Sequence, residues 1–246
     1  MGFNSISDDP KWWYITKKAT EEVHKVLLDA SLEYMSKIGD PVYDRAENYP
    51  GQVGKVLHFF LPELFREFIK DTLKEYRPKI DSSYYRGLSH IDIDKDIRFG
   101  IPNKFGYGVD GEHGRLIFRN RFEYTPLHIN YGTLHFTYWI KVPYTQIQEG
   151  LSAPNPKPEH NIPDDMSTHN GSMYFAFPNK FKGDNNYETG RVDTNFIHLY
   201  TSKNSEGLLC IYPNYLMNGY NPFYSSKEYM IECTGPITFE KPITLI

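Results

Sequence analysis

Apolar and polar positions along the chain follow two different periods. In the N-terminal third, Thr20-Glu21-Glu22 opens a helix, and Val23, Val26, Leu27, Ala30, Tyr34 and Ile38 follow at three- and four-residue steps until Gly39 and Pro41 end it. A second helix opens at Pro62-Glu63, carries Phe65, Phe68, Ile69, Leu73 and Tyr76 as its stripe, and stops at Arg77-Pro78. Both read as packing elements over one face of a sheet. From about Tyr84 the period shortens to two. His90 to Asp94 alternates as a half-buried strand should, and Arg115 to Tyr124 and Thr133 to Val142 follow as longer strands, the latter ended by Pro143. Met173–Phe177 and Asn195–Thr201 are two more. The last fifth reads as strand, turn, strand: Leu208–Tyr212 before Pro213, turn chemistry at Asn218-Gly219 and Asn221-Pro222, then Tyr229–Cys233 before Gly235-Pro236. These two runs are expected to be antiparallel neighbours. Pro236 and Pro242 predict an irregular tail with one short strand.

Between the strands lie loops: 100–114 with its glycines and the Asp110-Gly111 turn, 151–166 with Pro154, Pro156, Pro158 and Pro163, and 182–186. Many short strands with turn signals between them predict a mainly β, α+β fold: a jelly-roll core with N-terminal helices. The 246 residues form one core with an N-terminal helical part, 1–82, packed on a jelly-roll domain, 83–246. Trp12-Trp13-Tyr14 either caps that core or docks a partner.

Composition narrows the function. With 39% hydrophobic and 24% charged residues the chain is ordinary for a globular protein, but 20 Tyr and 16 Phe are many, suiting β structure and an assembly surface. A net charge of −4 without a basic run gives no nucleic-acid footprint. No stretch reaches the ~18 apolar residues of a membrane helix, and polar Met1–Pro10 has no apolar signal core. Two cysteines, Cys210 and Cys233, make no disulfide scaffold. They read as buried free thiols of a reducing compartment, with a cross-strand contact as the alternative. Gly106-Tyr-Gly108 and Gly111 lack a phosphate-loop frame, no Gly-x-Ser-x-Gly elbow occurs, and neither cysteine has an activating His beside it.

One constellation carries chemistry. Glu123-Tyr-Thr-Pro-Leu-His-Ile-Asn130 runs acidic, aromatic, polar, Pro, apolar, His, x, Asn, and a strand follows at Thr133–Pro143. Ile211-Tyr212-Pro213, Leu216 to Phe223 and Glu228-Tyr229 come later in the same order. Together these segments resemble the 2-oxoglutarate/Fe(II)-dependent oxygenases, above all the prolyl-hydroxylase-like proteins of bacteriophages, over about residues 115–235. The resemblance implies a double-stranded β-helix. It also implies that His128 stands at the first iron-ligand position, Asn130 where the family has His or Asp, Asn218 where it has the distal His, and Tyr229 where an Arg pairs with 2-oxoglutarate.

A non-haem iron centre needs two His and one carboxylate on one face, and a dicarboxylate is best held by a bidentate Arg. Asn is a weak neutral donor and Tyr makes no salt bridge. The resemblance therefore implies a non-catalytic relative that needs neither Fe(II) nor 2-oxoglutarate. Such a relative is a structural or binding component of a virion or of the host cytoplasm. Its partners would be other phage structural proteins or further copies of itself, not nucleic acid or membrane. Two alternatives stay open. One is an active hydroxylase using Fe(II) and 2-oxoglutarate through His128 and further ligands; the other is a glycan-binding jelly-roll module with exposed Tyr and Trp. His90-Ile-Asp92 is a literal His-x-Asp, with His169 or His198 as distal partner, but no Arg follows at suitable spacing, so it reads as a polar edge. His128 and His135, seven apart, are expected on opposite faces of a strand, and His113 in solvent.

Overall fold

A computed structural model describes residues 1–6, 12–40, 43, 50–81, 90–100, 112–152, 169–178 and 194–240. Among these residues the α-helices are α1 (Glu21–Met35), α2 (Glu63–Asp81), α3 (Ile93–Asp96) and α4 (Gln146–Ser152). The strands are β1 (Gly2–Ser5), β2 (Trp13–Lys18), β3 (Val56–Phe60), β4 (Ile97–Phe99), β5 (His113–Arg119) and β6 (Thr125–His128), then β7 (Leu134–Lys141), β8 (Ser172–Pro178), β9 (Thr194–Tyr200), β10 (Leu208–Pro213), β11 (Met217–Tyr220) and β12 (Met230–Phe239). They form two antiparallel sheets. The larger has the order β1-β2-β10-β7-β12-β5-β3, with β4 also on β12, and the smaller has the order β6-β11-β8-β9. From β5 onward, successive strands alternate between the two sheets except for the β8–β9 hairpin, placing β5, β7, β10 and β12 in the larger sheet and β6, β8, β9 and β11 in the smaller. That strand order is the double-stranded β-helix, or jelly roll.

The strand period sets what each face buries. On β7, Leu134, Phe136, Tyr138 and Ile140 point to a cluster shared with Val23 and Leu27 of α1 and Phe65, Ile69 and Leu73 of α2. Trp139 of the same strand joins the barrel interior with Met173, Phe175, Phe177, Tyr212 and Met230. β10 repeats the alternation, with Leu209 and Ile211 outward and Cys210 and Tyr212 inward. Thr20 caps α1, its side chain accepting from the Val23 amide at 3.3 Å. No described helix is long and apolar enough to cross a membrane.

Several expectations are corrected. Leu208–Tyr212 and Tyr229–Cys233 are not neighbours: β7 lies between β10 and β12 and pairs with both. Cys210 and Cys233 therefore sit on opposite faces, both free and buried. Asn218-Gly219 is not a turn but the middle of β11. A Cβ on Gly219 would lie 2.4 Å from the Tyr174 ring and 2.9 Å from the Thr125 carbonyl, so glycine serves close packing there rather than a bend. His90–Asp94 is not a strand; Asp92 caps α3, accepting from the Asp94 amide at 3.1 Å. α2 runs through Pro78 to Asp81, and β12 through Pro236 to Phe239. Trp13 is fully buried in β2, one of three strands that the N-terminal segment adds to the larger sheet. The loop readings at 101–111, 153–166 and 182–186, and Pro242, lie outside the described residues.

Candidate functional site

Between the two sheets is a pocket reached by β5, β6, β7, β11 and β12. β6 ends at His128, and Asn130 follows two residues later; β11 runs antiparallel to β6 with Asn218 directly opposite His128. The register then shifts, with Tyr220 opposite Thr125, so that three residues of β6 span two of β11 and both Thr125 and His128 line the pocket. His128, Asn130 and Asn218, far apart in sequence, thus line one pocket. Tyr229 does not. It precedes β12 on the helix side, its ring 6.1 Å from Phe118 and 4.4 Å below the Lys55 ammonium, which hydrogen-bonds its hydroxyl. The inward position at the start of β12 belongs to Met230, whose sulfur lies 3.4 Å from the Tyr220 hydroxyl.

His128 Nδ1 is 2.9 Å from the Pro126 carbonyl oxygen. Partial burial lowers its pKa, opposed by hydrogen bonds to Pro126 and Asn130 and reinforced by Arg119 and Arg115. His135 also lines this pocket, contrary to the opposite-face expectation. The chain leaves the smaller sheet after His128 and enters the larger one at β7, so the two imidazoles belong to facing sheets. Thr234 Oγ1 donates to the Phe136 carbonyl at 2.7 Å, which leaves His135 Nε2 to donate to Thr234 at 2.7 Å. His135 is 5% exposed, and burial first, then Arg115 and His128, hold its pKa well below the ordinary histidine value.

Among the described residues that line the pocket, Arg119 and Glu232 form an ion pair. Arg119 Nη2 lies 2.6 Å from Glu232 Oε1, with the two side chains 1% and 3% exposed. Arg119 Nη1 also donates to Thr125 Oγ1 at 2.8 Å, and the guanidinium sits 4.6 Å from the centre of the Tyr220 ring. Among the described residues, Glu232 Oε2, Asn130 Nδ2 and Asn218 Nδ2 are buried without a hydrogen-bond partner. The space they share is about 20 Å³, room for a water molecule and too little for a dicarboxylate. Arg119 and Glu232 were missed in the sequence, and His135 was set aside there. Their signal was a charge or imidazole at the inward parity of an otherwise apolar strand, as in Leu116-Ile-Phe-Arg119 and Met230-Ile-Glu232.

The residues present do not fit an Fe(II) centre. The pocket offers two neutral imidazoles and two carboxamides, and its carboxylate is engaged by Arg119. Among the described residues no three His, Cys, Asp or Glu side chains converge on one point. Other histidines lie elsewhere. His113 is not in solvent but 9% exposed, 4.4 Å ring to ring from Phe60. His169 and His198 stack at 3.7 Å on the outer face of β8–β9, where burial and His169 push His198 down to about 4.

No family model matches the chain, and no match was found among curated proteins. Solved structures are similar in fold. A Pseudomonas putida prolyl-4-hydroxylase aligns at 7% identity and a TM-score of 0.47, over 93% of this chain and 92% of that one. A Trichoplax adhaerens prolyl hydroxylase, solved with a hypoxia-inducible-factor peptide fragment, aligns at 10% and 0.42, over 92% and 82%. HygX from Streptomyces hygroscopicus, solved with nickel and 2-oxoglutarate bound, aligns at 9% and 0.42, over 92% and 82%. The double-stranded β-helix of the present chain rests on its own strand order, and the site has to be judged by its own residues.

Proposed function

We propose that the chain is a non-catalytic double-stranded β-helix protein of the 2-oxoglutarate/Fe(II) oxygenase kind, serving as a structural or binding component. One observation carries the reading. The positions that the sequence resemblance assigns to iron ligands meet in one pocket, and there they hold one imidazole and two carboxamides, His128, Asn130 and Asn218. Supporting it, the interior cation that could have received an acidic cosubstrate is paired with the protein's own Glu232. The phage kinship of the sequence resemblance makes a virion its expected place, with other structural proteins or further copies of the chain as partners.

Anaerobic titration with Fe(II) and 2-oxoglutarate tests this reading. The wild type is expected to give no metal-to-ligand charge-transfer band and no stoichiometric metal. Asn130→Asp with Asn218→His supplies a two-His, one-carboxylate set and is expected to tighten Fe(II) binding by on the order of 10²-fold or more. A wild-type band abolished by His128→Ala would make the chain an active oxygenase with an unusual ligand set. A fixed copy number per purified particle is the corresponding check on a virion role.

A further inference from the structure

We propose that the barrel interior contains a carboxylate-binding site built on Arg119 and filled from within by Glu232, and that a free small monocarboxylate takes this site once the Glu232 side chain is removed. The inference stands on the geometry of the ion pair and is independent of whether the chain ever binds iron.

Arg119 is held by more than its carboxylate. The Thr125 hydroxyl accepts from Nη1 at 2.8 Å, and the Tyr220 ring lies 4.6 Å from the guanidinium carbon. Those contacts come from β6 and β11, whereas Glu232 comes from β12, so the guanidinium keeps its aim when Glu232 is shortened. Glu232 makes fewer bonds than Arg119. Oε1 takes the Arg119 bond at 2.6 Å, while Oε2 is buried with no hydrogen-bond partner among the described residues. The Asn218 amide, lining the same pocket, has a buried Nδ2 in the same condition. A tethered carboxylate reaches Arg119 but not a second donor; an untethered one can turn to use both. Carboxylates bind guanidinium through paired charge-assisted hydrogen bonds, and exclusion from water strengthens them.

Size then sets selectivity. Glu232→Ala deletes a CH2–COO⁻ group, which is acetate less one hydrogen, beside a pocket of only about 20 Å³. Formate and acetate therefore match the vacated volume. Acetamide, of similar shape but neutral, does not replace the anion.

Thermal unfolding of full-length Glu232→Ala in sodium acetate, against sodium chloride at equal ionic strength, is the test. The midpoint is expected to rise by about 3–5 °C for each tenfold increase in acetate above its dissociation constant. The wild type, whose site is filled, is expected to show no acetate-specific rise, and Arg119→Met combined with Glu232→Ala is expected to show none either. Absence of an acetate-specific rise in Glu232→Ala, or an equal rise in the double variant, overturns the proposal. If Glu232→Ala does not fold in chloride, refolding from urea decides: recovery in acetate and not in chloride supports the site, and recovery in neither overturns it.

Discussion

Arg119→Met is expected to lower stability by about 3–5 kcal/mol, the usual cost of removing one partner from a fully buried ion pair. The cause is what remains rather than what is lost. Glu232, 2% exposed, would be left buried among Tyr144, Tyr220 and Met230 with no cation to answer it, and the Thr125 hydroxyl would lose its donor. Urea denaturation should show the midpoint falling with the slope unchanged. The discriminating variant is the double replacement of Arg119 and Glu232 by Met. Because the pair spends most of its mutual attraction on its own desolvation, two apolar side chains of similar length are expected to recover stability to within about 1–2 kcal/mol of the wild type. A loss in Arg119→Met below ~0.5 kcal/mol, the range of surface substitutions, would mean that water reaches the pair and that the pocket is open.

The same pair marks the limit of what the sequence makes legible. Period is local, and it located β7, β8, β9 and β10 to within a residue or two, as well as the starts of α1 and α2. In the structure the faces of β7 divide, with Leu134, Phe136, Tyr138 and Ile140 alternating with His135, Thr137 and Trp139. Partners are not local. Nothing in Leu208–Tyr212 or Tyr229–Cys233 reveals that β7 inserts between them, because those pairings join residues about 70 to 100 positions apart along the chain. Asn218-Gly219 has the chemistry of a turn, and only the Tyr174 ring and the Thr125 carbonyl crowding Gly219 explain glycine in a strand. In the site, the segments of His128, Asn130 and Asn218 could be singled out one at a time. Arg119 and Glu232, which set the charge of the pocket, belong to strands with no motif. His135 was misplaced because the chain changes sheets between it and His128, so counting residues along one strand gives no face.

Acid is expected to destabilise the fold from about pH 6.5 downward, with His135 accounting for close to one of the protons taken up on unfolding. Burial lowers the pKa of His24, His128, His135 and His198 in the folded chain. Each is therefore mostly neutral in the fold at a pH where the unfolded chain, titrating near ~6.5, has begun to charge. The unfolded state binds more protons, so stability is complete above that value and falls as the pH falls. For His198 the loss continues until its folded value of about 4 is reached. The exposed carboxylates of Glu75, Asp92 and Glu228 are lowered by their lysine partners, and their contributions are lost only at more acid pH, while Asp81, raised by burial, contributes in the opposite sense to the histidines. A histidine that stays neutral in the fold contributes about 1.4 kcal/mol for every pH unit below its unfolded value. Denaturation at pH 7, 6 and 5 should thus show a slope in the wild type that His135→Gln reduces by about 1.4 kcal/mol per unit. Gln can still donate to Thr234, so the slope, rather than the stability at pH 7, reports the imidazole. An unchanged slope would mean that His135 takes up its proton within the fold as readily as in the unfolded chain, against the burial and the neighbouring Arg115 and His128 that lower its pKa.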